Sequence, residues 1–365
     1  MKFRIKKRIA VLAALNVISL AGFVTFAAVG ANLAQSQDYN YACDRWGGDD
    51  AENYAQISCF MTESAGLTSD ELDSLRNSLL SKLQDISVAA EDGQRLCPDA
   101  YSAPLGQSTV KSDISGSSQA EITAVGGDFF AIHNFKLIDG AFFTDDDIMQ
   151  DGVVIDRSLA WALYGSYEVS GMNLTIDGTQ FYISGVIENP QTDEEISCSG
   201  ELPRAYISYD GASGFAGETA VSDDGISNAS GKFKTITCYE TVMPEPVEDY
   251  ALQAVESVME SYDGAEVIRN NGRFGAFTRL KALKSISDIA VSDSGIIYPY
   301  WENASRIVEF KLSYIYLKAA LCLIIPVLTA LWLIARAFLK LKRSKNKLLT
   351  PIKLKIYQIT KGKKT

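Results

Sequence analysis

Two long apolar runs bracket a stretch in which apolar and polar positions alternate over short periods. The first run, Ile9 to Ala34, carries no charge and only Asn16, Ser19, Thr25 and Asn32 as polar interruptions. The second, Leu312 to Leu339, is densest from Ala319 to Ala335. A helix needs about 20 such residues to cross the hydrocarbon core of a bilayer, so each run predicts a transmembrane helix. Lys318 lies near the outer end of the second and can snorkel. Tyr314, Tyr316 and Trp332 suit interfacial belts, and Pro326 predicts a kink. The first run has an alternative reading as a cleaved signal peptide, with Val29-Gly30-Ala31 as the cleavage site. Its apolar stretch is longer than the roughly 7–15 residues of a signal core, which favours an uncleaved anchor.

Between the runs the periods change repeatedly. Residues up to Trp46 predict an extension of the first helix as a stalk. Tyr54–Met61 alternates as a strand does. Thr68-Ser-Asp-Glu71 is a capping box that opens a helix with Leu72, Leu75, Leu79, Leu83 and Ile86 on one face. A strand around Tyr101–Val110 completes a β-α-β unit. A second unit comes much later: a strand at Phe233–Val242, a helix at Glu248–Ser261 with Ala251, Ala254, Val255 and Val258 inward, and a strand at Ala265–Arg269. Two such units predict a ferredoxin-like sheet with helices on one face.

The intervening block, Ala120 to about Tyr209, has short strands at Glu121–Val125, Val153–Asp156, Asn173–Ile176, Gln180–Val186 and Ala205–Ser208. Asp177-Gly178 is a two-residue hairpin signal, and Ser158–Tyr164 is a short helix. The fold class read from this pattern is α+β: two transmembrane helices flank an extracytoplasmic split β-α-β (ferredoxin-like) lobe with an inserted mostly-β lobe. The expected divisions are a basic N-terminus (1–8), a first span (9–34), a stalk and first β-α-β half (35–119), and the inserted lobe (120–209). A flexible loop (210–231), a second half and stalk (232–311), a second span (312–339) and a basic tail (340–365) follow. Phe274–Ala290 reads as a further helix in the second half.

Charge adds orientation. All 45 acidic residues lie between Asp38 and Glu309, where 16 lysines and arginines leave a net charge of −29. Lys2, Arg4, Lys6, Lys7 and Arg8 open the chain, and eleven Lys/Arg with no acid follow from Arg336. Basic flanks place both termini in the cytoplasm. The acidic middle is unsuited to nucleic acid, whose binding rests on neutralising phosphates. The basic tail suits anionic inner-leaflet lipid, or a cytoplasmic partner.

Candidate chemistry is sparse. The sequence has no P-loop, no G-x-S-x-G elbow and no H-E-x-x-H, and no pattern calls for a cofactor or metal. His133 is the only histidine and reads as a packing or surface residue. Asp145-Asp146-Asp147 lacks the alternating ligands of a calcium loop and reads as a solvated acidic turn; Glu194-Glu195 reads as exposed. Tyr298, Tyr300 and Trp301 form an aromatic cluster that is either packing at the stalk or a ligand platform. Five cysteines precede the second span. Cys59 and Cys238 fall on strands that neighbour each other in a ferredoxin-like sheet, so they either form a disulfide or stay as buried thiols.

The stretch V-G-G-D-F-F-A-I-H-N-F-K-L-I-D-G-A-F-F-T, then D-G-V-V-I-D-R-S-L-A-W-A-L-Y-G-S, then S-G-M-N-L-T-I-D-G-T-Q-F-Y-I-S-G-V-I, resembles a known family. It is similar to the MacB-like periplasmic core domain of ABC-type permeases of the macrolide-exporter and lipoprotein-release (FtsX-like) group. The matching positions include Asp128, Phe129, Phe130, Gly140, Ala160, Gly165, Gly171 and Gly185, none of them a catalytic group. The resemblance implies a non-catalytic permease-like subunit of an export or envelope-signalling complex, in the cell membrane, as a homo- or hetero-dimer. It implies a cytoplasmic ABC ATPase and a fuller permease subunit as partners. Members of that group typically carry four spans, whereas the sequence shows two. The alternative is a stand-alone anchored binding or sensing protein; a membrane-anchored hydrolase is disfavoured by the single histidine.

Overall fold

The computed structural model describes residues 2–48, 53–88, 95–212, 235–262, 264–283 and 295–361. Helix α1 (Lys2–Gln35) is followed by a 3-10 turn, Asp38–Tyr41, and the short α2 (Ala42–Gly47). Next come β1 (Tyr54–Phe60), α3 (Ser69–Asp85) and β2 (Asp99–Ser112). The middle block begins with β3 (Ser117–Gly127), α4 (Phe129–His133), β4 (Leu137–Gly140), β5 (Gly152–Asp156) and α5 (Arg157–Tyr164). It ends with β6 (Asn173–Ile176), β7 (Thr179–Ile187), α6 (Asp193–Ser199) and β8 (Arg204–Ser208). Finally β9 (Cys238–Pro244), α7 (Tyr250–Met259), β10 (Glu266–Arg269) and α8 (Ala276–Ala282) precede the long α9 (Tyr300–Lys361).

The chain divides into two units, Met1–Leu33 with Lys311–Thr365, and Ala34–Phe310. In the first, Gly22 and Gly30 let α1 approach Cys322 and Tyr316 of α9 closely, as small residues do between membrane helices. Asn16 Nδ2 donates to Thr329 Oγ1 at 3.2 Å, so one polar interruption of the first apolar run is an interhelical contact. Both helices are long and apolar enough to cross a membrane. The helix α9 continues through Pro326 without interruption.

Among the described residues of the second unit, ten strands form one sheet, in the order β10-β1-β9-β2-β3-β8-β5-β7-β4, with β6 joining β2 to β7. The pairings β10-β1, β1-β9 and β9-β2 are all antiparallel. From β2 onward the pairings run through β3, β8, β5, β7 and β6 and return to β2, closing a ring of six strands. The block expected as an inserted lobe therefore has no sheet of its own. It shares the 14-residue strand β2 with the first half. An irregularity between Pro104 and Gly106 falls midway along that strand, where bulges bend a strand and increase its twist.

On one face of the sheet, α3 and α7 pack side by side. The capping box forms: Thr68 Oγ1 accepts from Glu71 N, and Glu71 Oε2 accepts from Thr68 N. Leu72, Leu75, Leu79 and Leu83 are buried, each contributing about 1.5–3 kcal/mol. Ile86 lies at the helix C-cap and is 38% exposed, so the apolar face ends one turn earlier than its spacing predicts. Ala251, Ala254, Val255 and Met259 of α7 meet the same core, which continues into the ring around Ile122, Ile155 and Ile183. Leu159, Ala160 and Leu163 of α5 complete it.

Several expectations change. The stalk is not an extension of α1: the chain turns after Gln35 and buries Tyr39, Asn40 and Cys43. Glu194 is buried rather than exposed, inside a helix opened by a second capping box, Thr192 to Glu195. Most of the expected loop 210–231 lies outside the described residues, as do residues 284–290 of the expected helix, of which Ala276–Ala282 is helical.

Candidate functional site: a buried ion cluster and its aromatic border

The other face of the sheet carries the unusual chemistry. Alternation along β1 sends Ala55, Ile57 and Cys59 toward the helices, and Gln56, Ser58 and Phe60 to the opposite side. Ser58 stands directly across from Glu240 of β9, and its hydroxyl donates to Glu240 Oε1 at 3.0 Å. Glu240 Oε2 lies 2.6 Å from His133 Nε2. The His133 side chain is 2% exposed and stacks between Tyr39 and Phe135, at ring distances of 5.2 and 5.6 Å. Phe129 at 4.1 Å and Trp301 at 4.7 Å complete its surroundings. The lone histidine is therefore a core residue with one carboxylate partner.

Arg273, just after β10, is the hub of the face. Its Nε donates to Glu309 at 2.7 Å, and its two terminal nitrogens reach Glu302 at 2.9 and 3.0 Å. The same guanidinium donates to Asn40 at 3.1 Å and Asn270 at 2.9 Å. Burial pulls the Arg273 pKa down, but Glu302 and Glu309 outweigh it and hold the group above its ordinary value. Around the hub, Arg279 pairs with Glu309 at 2.7 Å, and Arg306 with Glu302 at 2.9 Å and Glu266 at 2.7 Å. Asn40 donates to Ser305 at 2.8 Å. Burial, then Glu240 and Glu302, push the Tyr39 hydroxyl well above its usual range, so it acts as a neutral donor to Glu302.

These partners come from distant segments. Tyr39 and Asn40 belong to the turn after α1, Ser58 and Glu240 to central strands, and Arg273 to the turn after β10. Glu302, Arg306 and Glu309 belong to the first turns of α9. Their spacing of 4 and 3 puts them on one helix face, next to buried Trp301, Ala304, Ser305 and Val308. That spacing is legible in the sequence; Arg273 as their partner is not. The cluster holds two chain segments to one sheet. With its only imidazole sealed among rings, it offers no open nucleophile-base pair.

The positions that carry the family resemblance do not converge on one spot. Asp128 precedes α4 and pairs with Arg95 at 2.7 Å. Phe129 packs against Trp301 and Tyr206, at 5.8 Å from each, while Phe130 stacks on Phe142 at 4.6 Å. Gly140 and Gly185 face each other across β4 and β7. At Gly140 φ is +76° and an added Cβ would lie 2.1 Å from the Ser184 carbonyl oxygen, so only glycine fits. Ala160 is buried in α5, Gly165 ends that helix, and Gly171 lies in the turn before β6.

Cys59 and Cys238 are both free thiols. The register sets Cys59 against Tyr239 and Cys238 against Phe60, one residue out of step. Neighbouring residues of a strand point to opposite faces, so Cys59 enters the aliphatic core and Cys238 the aromatic one. The expected disulfide is thus replaced by its alternative, two buried thiols. Burial raises the pKa of both. Asp147 accepts from Thr144 N at 3.1 Å and so organises its own turn, while Asp145 accepts from Gly127 N at 2.8 Å and ties that turn to the end of β3. Tyr298 lies under Arg306 at 3.9 Å, Tyr300 under Arg204 at 4.3 Å, and Trp301 is buried.

A family model described as MacB-like periplasmic core domain matches residues 16–254. No curated protein matches the chain. Among solved structures, the extracellular domain of the noncanonic ABC-type transporter YknZ from Gram-positive bacteria is 13% identical, aligning over 58% of this chain and 99% of its own, with a TM-score of 0.39. The periplasmic region of MacB from Actinobacillus actinomycetemcomitans is 14% identical over 65% of this chain and 94% of its own, with a TM-score of 0.37. A domain of a putative permease protein from Porphyromonas gingivalis is 14% identical over 60% of this chain and 89% of its own, with a TM-score of 0.33.

Proposed function

The chain belongs to the MacB-like periplasmic core domain family, and from that membership we propose that it is a non-catalytic permease-like subunit of an ABC-type export or envelope-signalling complex. Its two apolar helices and the family domain make it a membrane protein with an extracytoplasmic domain. In this reading both termini are cytoplasmic and residues 35–311 lie outside. The four strands ordered β10-β1-β9-β2, with α3 and α7 on one face, form a ferredoxin-like lobe. The block 120–209 is its β-rich insertion.

The observation that carries the reading is the Arg273 cluster. It ties the turn after α1 and the start of α9 to the central strands through a set of buried charges. Such a connection suits transmission of displacement: a shift of α9 along its axis moves Glu302 and Glu309, and with them Arg273 and the sheet. Releasing the connection leaves the buried Arg273 charge without its carboxylates, a cost of several kcal/mol, so the parts move together. A cytoplasmic ABC ATPase and a fuller permease subunit supply the motion, and the basic tail lies against anionic inner-leaflet lipid.

Purification of the full chain from its native membrane in mild detergent tests the complex. An ATPase that co-purifies supports it. A homo-oligomer without ATPase replaces it with the stand-alone sensing reading. Cysteines added near each terminus test the topology with a membrane-impermeant thiol reagent; labelling in intact cells would overturn cytoplasmic termini.

A further inference from the structure

A cavity of about 250 Å³ opens beside the aromatic cluster, between the sheet, the end of α6 and the first turn of α9. Arg204, at the start of β8, lines it with its guanidinium 4.3 Å over the Tyr300 ring. Arg204 is 8% exposed, and among the described residues its side chain makes a single hydrogen bond, to the Ser199 carbonyl oxygen. No carboxylate among the described residues lies within ion-pair distance of it, whereas buried Arg273 has two such partners and Arg279 has one. Glu121 stands opposite Arg204 in the β3-β8 register, and the Arg204 charge acts on Asp156, but neither carboxylate forms an ion pair with it; a buried cation without such a pair is costly.

Three further features of the same cavity favour an anion. The indole N–H of Trp301, a lining residue that is 5% exposed, has no hydrogen-bond partner. The N-terminal turn of the long helix α9 borders the space, and the free N–H groups of a helix start carry partial positive charge. Thr237, a residue with a hydroxyl donor, also lines the cavity.

We propose that this cavity binds a small carboxylate with an apolar body, its carboxylate on Arg204 and the Trp301 N–H and its body against Tyr298 and Tyr300. A planar guanidinium matches a carboxylate through two parallel hydrogen bonds. Phosphate is the poorer fit, because there is one guanidinium and the Glu121 carboxylate in the lining repels its larger charge more strongly than that of a monocarboxylate. The cavity is smaller than the roughly 300–1,000 Å³ of drug-sized sites, which sets the ligand near the size of a single amino acid or a short aromatic acid. The ligand would touch α6, β8 and α9 at once, next to the turn that holds Glu302. The inference concerns binding alone and stands whether or not the chain belongs to a transport complex.

The test uses the full chain in detergent, with phenylacetate and inorganic phosphate as separate probes. Phenylacetate at about 100 times its Kd should raise Tm by a few degrees and change tryptophan fluorescence. Arg204→Met should abolish both responses. In the absence of ligand, the same variant should keep or raise Tm, because it removes an unpaired buried charge. A second variant, Tyr300→Leu, should weaken phenylacetate binding at least about fivefold, within the range of a lost aromatic and cation–π contact. The proposal fails if phenylacetate leaves Tm and fluorescence unchanged. It fails equally if phosphate alone stabilises the protein, or if Arg204→Met retains the phenylacetate response. A lower Tm for unliganded Arg204→Met would make Arg204 a packing residue on Tyr300 and would also overturn the assignment.

Discussion

The two faces of the sheet are held by different physics. The helical face is mainly apolar: the leucines of α3, the alanines and Val255 of α7, and the odd-numbered residues of β1 interlock, with a single ion pair of α3 to the sheet, Arg76 to Asp99 at 2.6 Å, among the described residues. The opposite face combines rings with paired ions, and its partners come from sequence positions as far apart as Asn40 and Ser305, or His133 and Glu240. An aliphatic face tolerates small shifts because its attraction is non-directional. An ion cluster has one good geometry and penalises every other. The helical face therefore supplies cohesion, and the polar face locks the segments leading to both membrane helices in position.

The contrast is most sharply tested at Arg273. Arg273→Ala removes the partner that Glu302 and Glu309 share, leaving Glu302 to Arg306 and Glu309 to Arg279, and should cost about 3 kcal/mol in denaturant unfolding. Limited proteolysis should then open the turn after α1 and the start of α9 before the sheet. A loss below about 1 kcal/mol would reduce the cluster to a surface-like ion network. On the aliphatic face, Leu79→Ala should cost about 3 kcal/mol through a cavity, without preferential exposure of those segments. If it opens them equally, the two faces are not mechanically distinct.

A smaller effect concerns the join of β5 and α5. Asp156 caps α5, accepting from Leu159 N at 2.7 Å and Arg204 N at 2.8 Å. Burial nevertheless pushes its pKa up to about 6, against these donors. A folded-state pKa above the unfolded one means that the neutral form is favoured by folding. Its stabilisation is fully present below about pH 4 and is lost as pH rises through about 6. Stability measured at pH 4 and pH 7 should therefore show a component on the order of 2 kcal/mol favouring the lower pH, and Asp156→Asn should remove that component. An unchanged pH profile in the variant would refute it. Smallest of all, Thr68→Ala should cost about 1 kcal/mol by removing the α3 cap, with no effect on the polar face.

Legibility followed the range of the interactions. The α3 capping box and its leucine stripe rest on contacts within one helix turn, so four residues of sequence announce them. Thr192 and Glu195 carry the same signal for α6, which the reading of Glu194-Glu195 as exposed residues passed over. The cysteines show the limit: neighbouring strands were foreseen, but pairing also needs register, and a shift of one residue turned Cys59 and Cys238 to opposite faces. Glu302, Arg306 and Glu309 advertise a charged helix face. Nothing local says that the face is buried, or that Arg273, near Asn270 and Asn271 in an ordinary-looking turn, completes it.

By itself, the sequence determined the two apolar spans, the acidic middle, the amphipathic helices and the family, because these depend on composition and on periods of a few residues. Only the tertiary structure decided that β2 is shared between the antiparallel run β10-β1-β9-β2 and a closed ring of strands, and that one arginine gathers both membrane-proximal segments. Those outcomes depend on strand register and on charges brought together across hundreds of residues, where a single-residue offset changes which face a side chain occupies.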